Sequence, residues 1–151
     1  KDTLSHSYPR KSFLVCWRHM KFDYKKYSGS VLRPVIPIKL RNKDLEIGYE
    51  VLVDSGADLC IFDAQIGEVI GIDVRKGKPM EVFGVGGKAS VYYLHRVAIV
   101  VGGHMYQIEA GFMASVAGNN VPYGIVGQRG FFNIFVVKFD LLKERIELKE
   151  R

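Results

Sequence analysis

Asp54, Ser55 and Gly56 stand without a spacer at the end of the apolar run Val51-Leu52-Val53, and Ala57-Asp58 follow directly. A carboxylate at the inner end of an apolar strand is costly to keep ionised. It must be neutralised, hydrogen-bonded or put to chemical use. Gly56 lets the backbone turn sharply and bring N–H groups to the carboxylate, and Ser55 adds a hydroxyl. The same residue types are ordinary turn formers, so the octapeptide alone fits a plain strand-to-turn junction equally well.

Other stretches also carry residue types that could do chemistry. Gly84-Val85-Gly86-Gly87-Lys88 is rich in glycine, but Ala89 follows Gly87-Lys88 and Val82 stands where a P-loop needs its first glycine. A dinucleotide fingerprint fails for want of a following helix. The stretch reads as a flexible hairpin tip, or as a mobile flap whose bare backbone can approach a ligand. His6, His19, His95 and His104 share no zinc spacing with Cys16 or Cys60, so neither a metal nor a cofactor is expected. A nucleophilic Ser55 would need a base such as His95, and no elbow or oxyanion motif supports one.

The elements that must position these residues are short strands. Val35 to Leu40, with two prolines in its neighbourhood, suits an edge strand, and Leu45 to Val53 delivers Asp54. Leu59 to Phe62 reads as a buried strand. Asp63 caps a helix over 64–70 that Gly71 ends. Residues 80–83 and 89–94 flank the glycine-rich tip, and 96–101 and 105–112 meet at a Gly102-Gly103 turn. Residues 115–120 read as loop, 123–127 as a buried turn or strand, and 128–135 as a short helix. A closing hairpin joins 136–141 to 145–148. Turn signals every eight to twelve residues predict a mostly β barrel or sandwich.

With 151 residues, 48% hydrophobic and 25% charged, the chain has the composition of one globular domain. The net charge of +6 is unevenly spread: residues 1–28 hold seven Lys/Arg against two acids, and the rest fifteen against fourteen. A near-neutral body argues against nucleic-acid binding, and the basic stretch reads as a solvated arm. Residues 1–28 are expected to be a poorly ordered leader or extension, with order starting near Leu32 and the functional domain covering 29–151. Met20-Lys21 marks a break in character and a candidate natural start. The apolar run Phe13 to Trp17 after Arg10-Lys11 is too short for a signal peptide or a membrane span. Two cysteines form no disulfide framework, so free thiols and a cytoplasmic location are expected, with no membrane partner.

Asp54-Ser55-Gly56-Ala57-Asp58, a glycine-rich tip about 30 residues on, and Ile125-Val126-Gly127 about 40 further resemble the retropepsin-like aspartic proteases. Gly127-Gln128-Arg129-Gly130-Phe131-Phe132, then Phe139-Asp140-Leu141 and Ile146-Glu147-Leu148, are similar to its microbial single-domain members. The resemblance covers about residues 32–149. It implies an acid-protease half-barrel with a flap hairpin and one or two short helices. It also implies a homodimer in which Asp54 from each copy forms a shared-proton dyad that activates water. Ser55 would lock the dyad loops and Gly56 would hold the backbone near the carboxylates. Ala57 and Asp58 would face substrate main chain. Gly86 and Gly87 would close over an extended peptide, and Val85, Ile125 and Val126 would line apolar pockets. Many retroviral members carry Arg at the place of Gln128, where it pairs with the acid matched by Asp58. Here either Arg129 takes that role or neutral hydrogen bonds hold Asp58. The alternative function is a non-catalytic peptide-binding or dimerisation module on the same fold.

Overall fold

The computed structural model describes residues 18–83, 87, 89–114 and 123–151. Its frame is a sheet ordered β4 (Val35–Asn42), β5 (Leu45–Val53), β10 (Gly124–Val126), β6 (Ile61–Asp63), β9 (His104–Met113), β8 (Ala89–Val101) and β7 (Lys78–Phe83). The far half of β8 returns to β4 through Lys39↔Val100, Leu40↔Ile99 and Arg41↔Ala98, so six strands close into a ring. β7 hangs on the near half of β8 as a hairpin. Closure removes most edges that would otherwise expose unpaired N–H and C=O groups. Inside the ring, alternate residues such as Ile36, Ile38 and Leu40 on β4 and Val51 and Val53 on β5 meet Phe62, Ile99, Phe112 and Val126. The period of two that buries them sends their neighbours outward.

Several expectations are refined. Pro37 lies on a part of β4 that pairs with β5 alone; β8 joins at Lys39, beyond the residue that lacks an N–H. Residues 89–94 and 96–101 form one strand, because β9 pairs continuously from Tyr93 to Val101. The Asp63 side chain accepts from the Gln65 N–H at 2.8 Å and caps α1 (Ala64–Val69), and Gly71 follows at φ +79°. Within α1, a Cβ on Gly67 would come within 2.7 Å of the Phe112 ring, so glycine there brings the helix onto β9. Residues 128–134 form a series of turns in place of the expected helix. Gly130 at φ +97° breaks the helical path, and Asn133 Oδ1 accepts its N–H at 2.8 Å.

Order begins well before Leu32, contrary to the expectation for residues 1–28. β1 (His19–Asp23) pairs antiparallel with β12 (Arg145–Glu150), which also pairs with β11 (Phe135–Asp140). Met20 and Phe22 alternate with charged residues and pack on the core, a two-residue period hidden by the surrounding basic charge. β2 (Lys25–Lys26) and β3 (Leu32–Arg33) form a small hairpin. Residues 1–17 lie outside the described residues. Among the described residues no helix is long and apolar enough to cross a membrane.

Candidate active site

Asp54 leaves β5 where the sheet is held on both sides. Its N–H donates to the Val126 carbonyl at 3.0 Å, while the Val53 N–H donates to the Pro34 carbonyl at 2.9 Å. The chain then reverses, the Ala57 N–H reaching back to the Asp54 carbonyl at 3.3 Å. Gly56 donates its N–H to Asp54 Oδ1 at 2.8 Å, the contact foreseen from the Asp-Ser-Gly order. A Cβ on Gly56 would sit 3.2 Å from that oxygen, so a bare backbone keeps the approach open. Asp54 is half-buried, and Ser55, Gly56 and Asp58 are exposed. A carboxyl is thus presented to solvent on a loop whose back is fixed.

The back is fixed by residues 126–129. The Gln128 side-chain amide donates to the Ser55 carbonyl. The Gln128 N–H donates to the Ala57 carbonyl at 2.8 Å, and the Arg129 N–H to the Asp58 carbonyl at 3.0 Å. Three carbonyls of the Asp54 loop are thereby satisfied from one short segment. Gly127 allows it: a Cβ there would lie 2.5 Å from the Ala57 oxygen and 2.6 Å from the Leu59 oxygen. Arg129 contributes its backbone, and among the described residues neither its guanidinium nor the Asp58 carboxylate has a partner. Gln128 is spent on the loop backbone and leaves Asp58 free.

Ile125 pairs with Leu52 on β5 and Ile61 on β6, and is half-buried. Val126 was expected beside it in a pocket. It is fully buried in the core, because adjacent strand residues point to opposite faces. Of the hairpin tip, Gly87 is described, at φ +75° with open space where a Cβ would stand; Val85 and Gly86 lie outside the described residues. His95 is engaged elsewhere, its Nε2 2.7 Å from the Val74 carbonyl and its ring edge-on to Phe112. Among the described residues no imidazole bonds Ser55.

Two groups escaped the sequence reading. A second apolar cluster of Leu59, Ile61 and Tyr92, joined by Met80, Val82 and Leu94, lies under the β7–β8 hairpin. Positions 80, 82, 92 and 94 share one face of that hairpin by the same two-residue period, a signal available in the sequence. The second group braces the start of β10. The Arg33 guanidinium bonds the Tyr123 hydroxyl and stands over the Tyr27 and Tyr123 rings at 5.5 and 5.8 Å. Behind the loop, Cys60 is buried, and its thiol is pushed up to about 12 by that burial. It is an inert packing group.

The pattern of the aspartyl protease family matches residues 36–129, which include the Asp54 loop, β10 and Gly127. Among solved structures, a retropepsin-like aspartic protease from Rickettsia conorii aligns over 89% of this chain and 94% of its own, with a TM-score of 0.60 at 13% identity. The retroviral protease-like domain of Ddi1 from Leishmania major aligns over 73% of this chain and 82% of its own, with a TM-score of 0.50 at 19% identity. At such identities the likeness is one of fold. No curated protein matches the sequence.

Proposed function

Because the chain belongs to the aspartyl protease family, we propose that it is an aspartic endopeptidase that works as a homodimer. The observation that carries this reading is the Asp54 loop, exposed in front and tied behind by Gly127, Gln128 and Arg129. Each chain supplies one such loop, which is half of a two-carboxyl site.

Two Asp54 carboxyls brought together about a two-fold axis cannot both ionise at close range, so they share one proton. The ionised carboxylate takes a proton from a water held between them. That water's oxygen attacks the peptide carbonyl, while the protonated partner gives its proton to the carbonyl oxygen. The resulting gem-diol collapses as a proton passes to the amide nitrogen and the C–N bond breaks. Gly56 holds the backbone against the carboxyl, and Ser55 bonds across the pair. Ala57, Asp58, Gly86 and Gly87 bind substrate main chain, and Val85 lines an apolar pocket. Ile125, beside Leu52 and Ile61, receives apolar side chains next to the cleaved bond. An extended polypeptide fits this arrangement, since strand addition satisfies its backbone. The free, buried Cys60 suits a reducing compartment.

Asp54→Asn tests the reading. Cleavage of an unfolded protein falls by about 10^2 to 10^4-fold, the range for an acid–base group. Circular dichroism and sedimentation stay as in the parent chain. Full activity in Asp54→Asn removes the assignment, and an inactive parent chain that still binds peptide assigns the fold to a binding module.

A further inference from the structure

The outer face of β8 collects cations that the fold does not use. Val97, Ile99 and Val101 point into the core, so Arg96, Ala98 and Val100 point out. Across the sheet, Ala98 pairs with Arg41 of β4 on one side and with Gln107 of β9 on the other. Alanine is short, and the longer side chains around it leave a hollow of about 280 Å3 that Arg41, Lys43, Arg96 and Gln107 line. The Arg41 Nε donates to the Lys43 carbonyl at 3.1 Å, which holds that guanidinium at the β4–β5 turn. Among the described residues, no carboxylate lies within ion-pair distance of Arg41, Lys43 or Arg96. Glu46, opposite Arg41, is held by Lys39 at 2.8 Å.

Gln107 also lines a larger groove of about 470 Å3, which runs past Leu94 and Tyr92 to Leu59. Tyr92 and Leu94 share the parity of Arg96 and Ala98, so both cavities lie along one face of one strand. From Tyr92 to Ala98 is about 20 Å, room for about six residues of extended chain. Lys78 and Arg129 line the groove, and neither has a carboxylate partner among the described residues. Five cations thus line the two cavities against one carboxylate, Glu109, which stands opposite Arg96. Residues 29–151 are nearly neutral, so this face concentrates charge that is balanced elsewhere. Leu59 bridges Arg129 and joins the near end of the groove to the Asp54 loop.

We propose that this face binds an acidic segment of an extended polypeptide, with Arg41, Lys43 and Arg96 as the anion site and Lys78 and Arg129 on the way to it. Single exposed ion pairs are weak, so a row of them along a groove suits a run of carboxylates better than one compact anion. The one aromatic side chain lining the cavities, Tyr92, is buried and leaves nucleic-acid bases no ring to stack on. As an exosite, the face engages substrate residues away from the cleaved bond. That role rests on the protease reading; the binding itself does not.

A fluorescein-labelled peptide of six consecutive glutamates, which offers no apolar pair to cleave, is titrated with the full 151-residue chain and followed by anisotropy. Arg41→Gln/Arg96→Gln should weaken binding about tenfold. Lys138→Gln/Lys143→Gln removes the same charge from the β11–β12 hairpin and should weaken it less than about twofold. No binding by the unaltered chain, or equal losses in the two double variants, overturns the proposal. So does displacement of the peptide by an equal concentration of inorganic phosphate, or by an oligonucleotide that binds more tightly, since the occupant is then a different anion. In cleavage assays, a substrate with the acidic run on either side of the cleaved bond should show a KM several-fold below that of its glutamine counterpart, at equal kcat. Arg41→Gln/Arg96→Gln should erase the difference. Equal KM values despite measured binding overturn the exosite. If the peptide binds as described but no protein is cleaved, the protease reading falls and the acidic-peptide site stands.

Discussion

Gly127→Ala exerts the sharpest leverage on the site. A Cβ there would stand 2.5 Å from the Ala57 carbonyl oxygen, 2.6 Å from the Leu59 oxygen and 3.0 Å from the Ala57 carbonyl carbon. All three are backbone atoms, so no side-chain rotation relieves the clash. Opening these contacts to van der Waals distance moves the two segments apart by about 1 Å. The 2.8 Å bond from the Gln128 N–H to the Ala57 carbonyl then stretches beyond hydrogen-bonding range. Overpacking costs about 1–3 kcal/mol. The lost bond adds about 1 kcal/mol, for a total of about 2–4 kcal/mol. In a chain of this size, that lowers Tm by roughly 5–15 °C. Gly48→Ala is the control. Gly48 is exposed on β5 with nothing within 4 Å of its would-be Cβ, so alanine there has no clash to relieve. It should stabilise by about 0.5–1 kcal/mol through lower unfolded-state entropy. Urea unfolding by circular dichroism, at one fixed protein concentration so that any self-association affects both variants alike, reads both. A Gly127→Ala variant within about 0.5 kcal/mol of the parent would refute the reasoning. So would two glycine variants that cost the same.

Proteolysis should peak at about pH 4–6, where a carboxyl pair holds one proton. A rate still climbing at pH 9 would indicate other chemistry. Specific activity should fall on dilution as the half-sites separate, and undiminished activity of a sedimenting monomer would exclude the shared site. Stability should decline in alkali. Burial pushes both the Cys60 thiol and the Tyr49 phenol up to about 12 from ordinary values of 9.0 and 10.0. The unfolded chain therefore loses these protons first. The contribution is intact below pH 9 and is lost as pH rises from there towards 12, at up to about 1.4 kcal/mol per pH unit for each group. Cys60→Ala should delay the onset by about one pH unit, and urea midpoints unchanged from pH 9 to 11 would contradict it.

The Asp54 loop was legible because its geometry is local. An apolar run ending in Asp-Ser-Gly dictates both the turn and the Gly56 N–H on Asp54 Oδ1. The α1 cap was legible for the same reason. Tertiary contacts were not. Nothing in Gly127-Gln128-Arg129 announces that three bonds run from it to carbonyls some seventy residues earlier, and Gly130 alone hinted that the expected helix would break. The pocket role that the resemblance implied for Val126 fails because its side chain points into the core, opposite to that of Ile125. The alternating Met20 and Phe22 of β1 were masked by the charge around them, so the basic stretch was read as solvated where residues 19–23 and 25–26 are strand.

β10 carries a consequence for how the chain is made. Its three residues are inserted between β5 and β6, parallel to one and antiparallel to the other, yet they follow β6 by about 60 residues. A ribosome takes about 3–12 s to add that many. Throughout that interval Asp54 rides on a loop without a rear wall. The Asp54 loop therefore reaches its final, braced form only late in synthesis.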